Sequence, residues 1–241
     1  MPAFDAGRML RPGQRATIAD DRLAHHIIDV LRVRKGGTLL LFHEGIIYDT
    51  IVEDSSRESL TVMVTAQRNA PLVDRPIALV QAVIRPALLD DVVRMCVPLS
   101  VDRIVVYRAD RSQPWNITGR MERLQQIAQS AAEQAETGRV PVLTSTEGLA
   151  PALKSLSHAY RVLHLSTGGH TTIGSLVGEG AASLTGPAAV VIGPEGGLTQ
   201  REEAILAEAE ATTVRLNTCI LRSELAGFAA VLSIRELQGI Q

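Results

Sequence analysis

Apolar and polar positions follow two different periods along the chain. Before residue 70 the alternation is short and strand-like. Residues 38–42, 46–52 and 59–65 predict strands rich in Leu, Ile, Val and Thr, with Gly45 in the loop between the first two and Lys35-Gly36-Gly37 as a turn. Ahead of them, Leu23, Ile27, Val30 and Leu31 share one face of a helix predicted over 20–30, with Asp20 or Asp21 as N-cap. Short strands at this spacing predict a small β-barrel.

The stretch 69–76, Asn-Ala-Pro-Leu-Val-Asp-Arg-Pro, is a boundary with two prolines. After it strands and helices alternate. Strands are predicted at 77–84, 103–107, 161–165, 188–192 and 213–216, and helices at 87–99, 117–137, 199–210 and 223–237. This order implies an α/β fold, a parallel sheet covered by helices on both faces. Two domains are expected, 1–72 and 73–241. Ligands of such sheets sit at the carboxyl ends of strands, which directs attention to the loops after Leu165, Ile192 and Leu216.

Composition narrows the class. With 46% hydrophobic and 21% charged residues and a formal net charge of -2, the chain reads as a globular protein. No apolar run reaches the ~18 residues of a membrane span. The start lacks a secretion-signal pattern, and two cysteines, Cys96 and Cys219, make neither a disulfide framework nor a zinc site; a reducing cytoplasm fits. No metal site is expected. All basic residues but Lys35 and Lys154 are arginine. Near the start, Arg8, Arg11, Arg15, Arg22, Arg32, Arg34 and Lys35 outnumber Asp5, Asp20, Asp21 and Asp29, an imbalance that permits an anionic partner there.

Among the loops, Gly193-Pro194-Glu195-Gly196-Gly197 stands out, following an apolar strand and preceding Thr199, whose spacing to Glu202 makes a capping box. Its glycines either let a ligand approach the backbone or serve a tight turn. It matches neither the G-x-G-x-x-G dinucleotide fingerprint nor a P-loop. The loop 216–226 ends in Arg222, Ser223 and Glu224 at a helix start. These residues either hold a polar ligand or cap the helix, with Ser223 or Thr218 as N-cap and Glu224 favoured by the helix dipole. His164 and His170, beside a third glycine-bearing loop, read as ordinary core or surface histidines. No Ser/His/Asp order or G-x-S-x-G elbow is present.

Taken in order, these motifs resemble one family. Gly193-Pro-Glu-Gly-Gly-Leu-Thr followed by Ile220-Leu-Arg-Ser-Glu, together with His25-His-Ile-Ile-Asp-Val-Leu-Arg-Val-Arg-Lys-Gly-Gly, Leu41-Phe-His-Glu-Gly and Ala128-Gln-Ser-Ala-Ala-Glu-Gln-Ala-Glu-Thr-Gly-Arg-Val-Pro141, are similar to RsmE, the ribosomal RNA small subunit methyltransferases E. The resemblance spans nearly the whole chain. It implies a PUA-like, RNA-binding barrel at 1–72 and a SPOUT-type trefoil-knotted sheet at 73–241. It further implies a homodimer that takes S-adenosyl-L-methionine and methylates N3 of a uridine in 16S ribosomal RNA. Carried onto this chain, Arg222 and Glu224 are catalytic. Leu165, Ile192, Gly193, Pro194, Glu195, Gly196, Gly197, Leu216, Ile220, Leu221 and Leu225 bind the cofactor. Arg8, Arg11, Arg22, His25, Arg32 and Arg34 contact RNA. The chain departs from the family pattern at Asn217, Cys219 and Leu225, where the family has Gly, Arg and Thr. An RNA-binding member with impaired catalysis is the alternative.

Overall fold

A computed structural model describes residues 3–19, 24–56, 59–71, 74–156, 158–177 and 186–239. The chain forms two compact units, 1–73 with 130–140, and 74–129 with 141–241.

The first unit is built on a curled, barrel-like five-stranded sheet in the order β1-β3-β4-β5-β2. Its strands are β1 (Ala3–Asp5), β2 (Arg15–Ile18), β3 (Thr38–His43), β4 (Ile46–Ser55) and β5 (Leu60–Asn69). Register shifts at Asp49/Thr50 and Val52/Asp54 bend the long β4–β5 pair. Positive φ at Glu44 (45°) and Gly45 (85°) shapes the β3–β4 hairpin turn. Phe4, Leu10, Ile27, Leu39, Leu41, Leu60 and Val62 fill the core around Tyr48, whose hydroxyl accepts from the Leu10 N–H at 3.2 Å. The helix expected over 20–30 is only partly as read. Residues 20–23 lie outside the described residues, and His26–Val30 is a π-helical turn. The Leu31 N–H reaches back to the His26 carbonyl (3.0 Å), and Arg32 then turns the chain at φ 57°.

The second unit carries a seven-stranded, all-parallel sheet in the order β10-β12-β9-β11-β6-β7-β8. The strands are β6 (Ile77–Ala82), β7 (Arg103–Tyr107), β8 (Val142–Thr146), β9 (Arg161–Leu165), β10 (Thr171–Thr172), β11 (Ala188–Ile192) and β12 (Thr212–Arg215). Helices are α1 (Pro86–Cys96), α2 (Met121–Ala135, whose residues from 130 on count with the first unit), α3 (Leu149–Lys154), α4 (Gln200–Glu208) and α5 (Ser223–Leu237). α1 stops short of the expected residue 99. Pro98 lacks an N–H for the α-helical ladder, so Val97–Leu99 tightens into a 3-10 turn before Ser100 reverses the chain at φ 56°. The α/β class with a barrel-like first part is as the sequence implies.

Every residue of β6 and β11 is buried, because both faces are covered. On one face Ala78, Val80, Ala82, Val105, Tyr107, Ala189 and Val191 pack against Leu149, Ala152 and Leu206 of α3 and α4. On the other lies α5, at such close approach that a Cβ on Gly227 would stand 3.2 Å from Gln81 Oε1 and 3.4 Å from Leu79 Cδ1. α1 is tied to the start of α2 by the buried Asp90, which accepts from Arg120 (2.8 Å) and Arg123 (3.0 Å). Among the described residues no helix is long and apolar enough to cross a membrane.

The far end of α5 is held by Arg235, which is fully buried. Its guanidinium donates to the carbonyls of Leu99 (2.8 Å), Ser100 (2.7 Å) and Arg75 (2.5 Å) and to Gln238 Oε1 (2.8 Å). Removing it strands several buried acceptors at once, each costing about 1–3 kcal/mol. Arg235→Met is therefore expected to destabilise the protein by at least about 3 kcal/mol in urea unfolding. A loss under about 1 kcal/mol would mean the carbonyls find other donors.

Candidate functional site

A cleft of about 980 Å³ opens at the carboxyl ends of β9, β11 and β12. Its walls come from Leu165 to Thr167, from Ile192 to Glu195 with Gly197 and Leu198, and from the loop 215–224, with Arg85 and Leu88 from the start of α1. The two loops singled out by sequence thus line one cavity.

What closes them together is a hydrogen-bonded joint. Ser223 Oγ donates to the Gly193 carbonyl at 2.8 Å and accepts from Gln81 Nε2 at 3.0 Å. Gln81 also donates to the Ala82 carbonyl at 3.2 Å, while its Oε1 is buried without a partner. The N-cap of α5 is Arg222, which makes no side-chain cap, so neither Ser223 nor Thr218 plays that part. Ser223 sends its proton across to the neighbouring loop instead.

The 193–198 loop is also gripped from its other side. Arg111 Nη1 donates to the carbonyls of Gly196 (2.9 Å) and Leu198 (3.2 Å). Gly197 adopts φ 70° and its N–H returns to the Pro194 carbonyl, closing a turn that a side chain at 197 would strain. The capping box forms as the spacing predicts: Thr199 Oγ1 accepts from the Glu202 N–H and Glu202 Oε2 from the Thr199 N–H. Buried Glu202 further accepts from the Asp110 N–H at 3.0 Å. The Ile192 carbonyl accepts from Tyr107 Oη (3.2 Å), and burial pushes that phenol's pKa up, reinforced by Glu202 and Glu203.

Of the residues the sequence nominated, Arg222, Glu224, Leu165, Ile192, Gly193, Pro194, Glu195, Gly197, Leu216, Ile220 and Leu221 line the cleft. Gly196 and Leu225 do not. A Cβ on Gly196 would meet Arg111 Cβ at 3.2 Å, and Leu225 is an exposed residue of the first turn of α5. Arg222 is exposed, and its guanidinium bonds to no described residue. Glu224 is 8% exposed and its carboxylate likewise has no partner among the described residues, at a helix N-terminus whose dipole favours an anion. Arg8, Arg11, Arg32 and Arg34 are exposed on the first unit, with Arg8 donating to the Thr17 carbonyl at 2.9 Å. His25 is exposed and paired with Asp29 at 2.6 Å. Arg22 lies outside the described residues.

Sequence reasoning missed Gln81, Arg111 and the joining role of Ser223, because their partners are remote in the chain. His164, read from the sequence as an ordinary core or surface histidine, is a cleft-wall residue that is 4% exposed. Its Nδ1 makes no hydrogen bond, and the Glu203 carboxylate stands 3.8 Å away. Burial holds the His164 pKa below the ordinary value of 6.5, with Glu203 opposing the shift. Burial also pushes the Cys96 thiol up to about 12, while Cys219 is exposed in the cleft.

The model of the RNA methyltransferase domain family matches residues 72–235. The ribosomal RNA small subunit methyltransferase E of Mycobacterium tuberculosis is 26% identical over 223 residues, covering 89% of this chain and 84% of its own length. Its counterpart from Rickettsia conorii is 26% identical over 234 residues, covering 95% and 92%. A crystal structure of the Neisseria gonorrhoeae enzyme of that name, bound to S-adenosyl methionine, superposes with a TM-score of 0.84 at 28% identity over 98% of each chain. These comparisons bear out the resemblance to RsmE read from the motifs.

Two measurements test the site's construction. Ser223→Ala leaves the buried Gln81 amide short of a partner and is expected to cost about 1–3 kcal/mol in urea unfolding; a neutral result would remove the joint's importance. For His164, the unfolded chain takes up a proton before the folded one as pH falls. Its stabilising contribution is full above about 6.5 and is lost as pH drops through the lower folded value. His164→Gln is therefore expected to lose less stability than the parent between about pH 7 and pH 5. Parallel slopes would show that His164 titrates normally.

Proposed function

The chain belongs to the RNA methyltransferase domain family, and from that premise we propose that it transfers a methyl group from S-adenosyl-L-methionine to N3 of a uridine in 16S ribosomal RNA. The observation that carries this reading is the joint of Ser223 with Gly193, which brings the two family-like loops onto one cleft. RsmE relatives align over nearly their full length, and one was solved with this cofactor bound.

The residues present fit the cofactor. The cleft has room for a molecule of nucleoside size, apolar walls from Leu165, Ile192 and Leu216, and a glycine-bearing loop along one side. Glu224 offers a carboxylate, without a partner among the described residues, to a cationic or N–H group. When bound, S-adenosylmethionine supplies an electrophilic methyl on a sulfonium.

The protein's part is then positioning and charge. A uridine N3 attacks well only after losing its proton. A guanidinium beside O2 or O4 favours that anion, as any nearby cation lowers an acid's pKa. Arg222, at the N-terminus of α5 beside the glycine loop and with a side chain bonded to no described residue, is the guanidinium assigned this role. The alternative of an inert RNA-binding relative is not favoured, since Arg222 and Glu224 both line the cleft.

Arg8, Arg11, Arg32 and Arg34 suit a role of the first unit, proposed as a PUA-like domain over 1–72, in tracking RNA phosphates; Arg22 and His25 complete that set. A homodimer is supported by apolar side chains left in the open at Ile220 (84% exposed), Leu225 (43%) and Leu232 (37%). Action on 16S rRNA implies a cytoplasmic location.

Methyl incorporation into 30S subunits tests the reading. Arg222→Ala is expected to lower kcat by about 100-fold or more while leaving cofactor affinity by calorimetry within about threefold. Equal losses in both would assign Arg222 to the cofactor instead. Mass spectrometry should find the methyl group on uridine N3; any other position would refute the finer claim.

A further inference from the structure

We propose that Arg85 and Arg215 form a phosphate clamp that holds the substrate RNA backbone beside the target nucleotide, an inference that rests on the RNA methyltransferase reading above. Most arginines of the second unit are already occupied. Arg120 and Arg123 grip Asp90, Arg108 pairs with Glu147 at 2.9 Å, Arg94 with Asp91 at 2.7 Å, and Arg111 and Arg235 are engaged by backbone carbonyls. Arg85, Arg215 and Arg222 line the cleft and bond to no described residue through their side chains. Glu195, Glu203 and Glu224 line the same cleft, yet none of the three arginines pairs with them. Arg103 and Arg201 are likewise without partners among the described residues, but neither reaches the cleft.

Both proposed residues stand on fixed backbone. Arg85 follows β6 as the N-cap of α1, and its carbonyl accepts the helix bond from the Leu89 N–H at 3.0 Å. Arg215 ends β12, in register with Thr172, and its carbonyl accepts from the Ile173 N–H at 3.1 Å. A guanidinium on a rigid base loses less freedom on binding than one on a loop. Its planar fork matches two oxygens of one phosphate, which brings a full negative charge to arginines that are held in no ion pair among the described residues. With Arg222 directed at the base, Arg85 and Arg215 remain for the flanking backbone, where contacts position the strand and carry no sequence information.

The full-length protein is titrated with a ten-nucleotide oligouridine, without cofactor, across a salt series. Arg85→Ala/Arg215→Ala is expected to flatten the plot of log affinity against log salt by about 1.4, or about 0.7 for each phosphate no longer neutralised, and each single variant by half of that. Arg103→Ala and Arg201→Ala leave the slope unchanged. With 30S subunits and S-adenosylmethionine, each cleft variant should raise the KM for subunits about tenfold and leave kcat within about twofold, and Arg→Lys should restore most of the KM, because an ammonium still meets a phosphate as a point charge. An unchanged slope and KM would overturn the clamp. So would a matching loss of S-adenosylmethionine affinity in calorimetry, which would put these charges on the cofactor's carboxylate. If the parent protein transfers no methyl group, the functional reading falls, and the oligouridine slopes still decide the clamp.

Discussion

One hydroxyl, Ser223 Oγ, gives its proton to the Gly193 carbonyl and accepts one from Gln81, and so ties together three segments that are far apart in the chain. Gln81 belongs to a central strand, Gly193 to the loop after its neighbour, and Ser223 to the first turn of the last helix. Without that link the helix start and the glycine loop would be independent walls. With it, the carboxyl ends of the strands open into a defined cavity. Gly227, one turn along, lets α5 come close enough to the sheet for the link to form, since a side chain there would press on Gln81 itself. Aiming the amide of Gln81 at Ser223 leaves its Oε1 orphaned.

The electrostatics of the cleft follow from what the surroundings consume. Arg111, Glu202 and Asp110 are committed to shaping the glycine loop and the capping of α4. Tyr107 is committed to the Ile192 carbonyl. His164 is kept toward its neutral form by burial. What remains is a set of arginines and carboxylates lining one cleft that form no ion pairs with one another among the described residues. That pattern suits ligands carrying both signs of charge, which is how a sulfonium amino acid and a polyanionic strand would present themselves.

Much of this was legible in the amino-acid order. The strands at 103–107, 161–165 and 188–192 and the helix at 223–237 coincide with the observed elements because apolar runs and helical spacing are strong there. Weakly patterned pieces escaped. β8 reads Val-Leu-Thr-Ser-Thr at a sheet edge with mixed exposure, β1 and β10 are only a few residues long, and α3 carries Pro151 in its first turn. Glycines and strand ends pointed to the right loops. The groups that fix those loops, Gln81 and Arg111, could not be read, because a glutamine in an apolar strand and an arginine in a turn gain meaning only from topology. Gly196 illustrates the converse: a motif letter that faces a supporting arginine and not the cavity.

The sheet's order carries a consequence for how the molecule is made. β6 is buried on both sides in the end, between β7 and β11. During synthesis β7 emerges soon after it, but β11 arrives only once more than half of the unit has been translated. Until then one edge of a strand destined for complete burial has no neighbour, and closing so long a loop is slow. The nascent chain therefore passes through a vulnerable interval with that edge open, and shielding by a chaperone matters most between the emergence of Ala82 and that of Ile192.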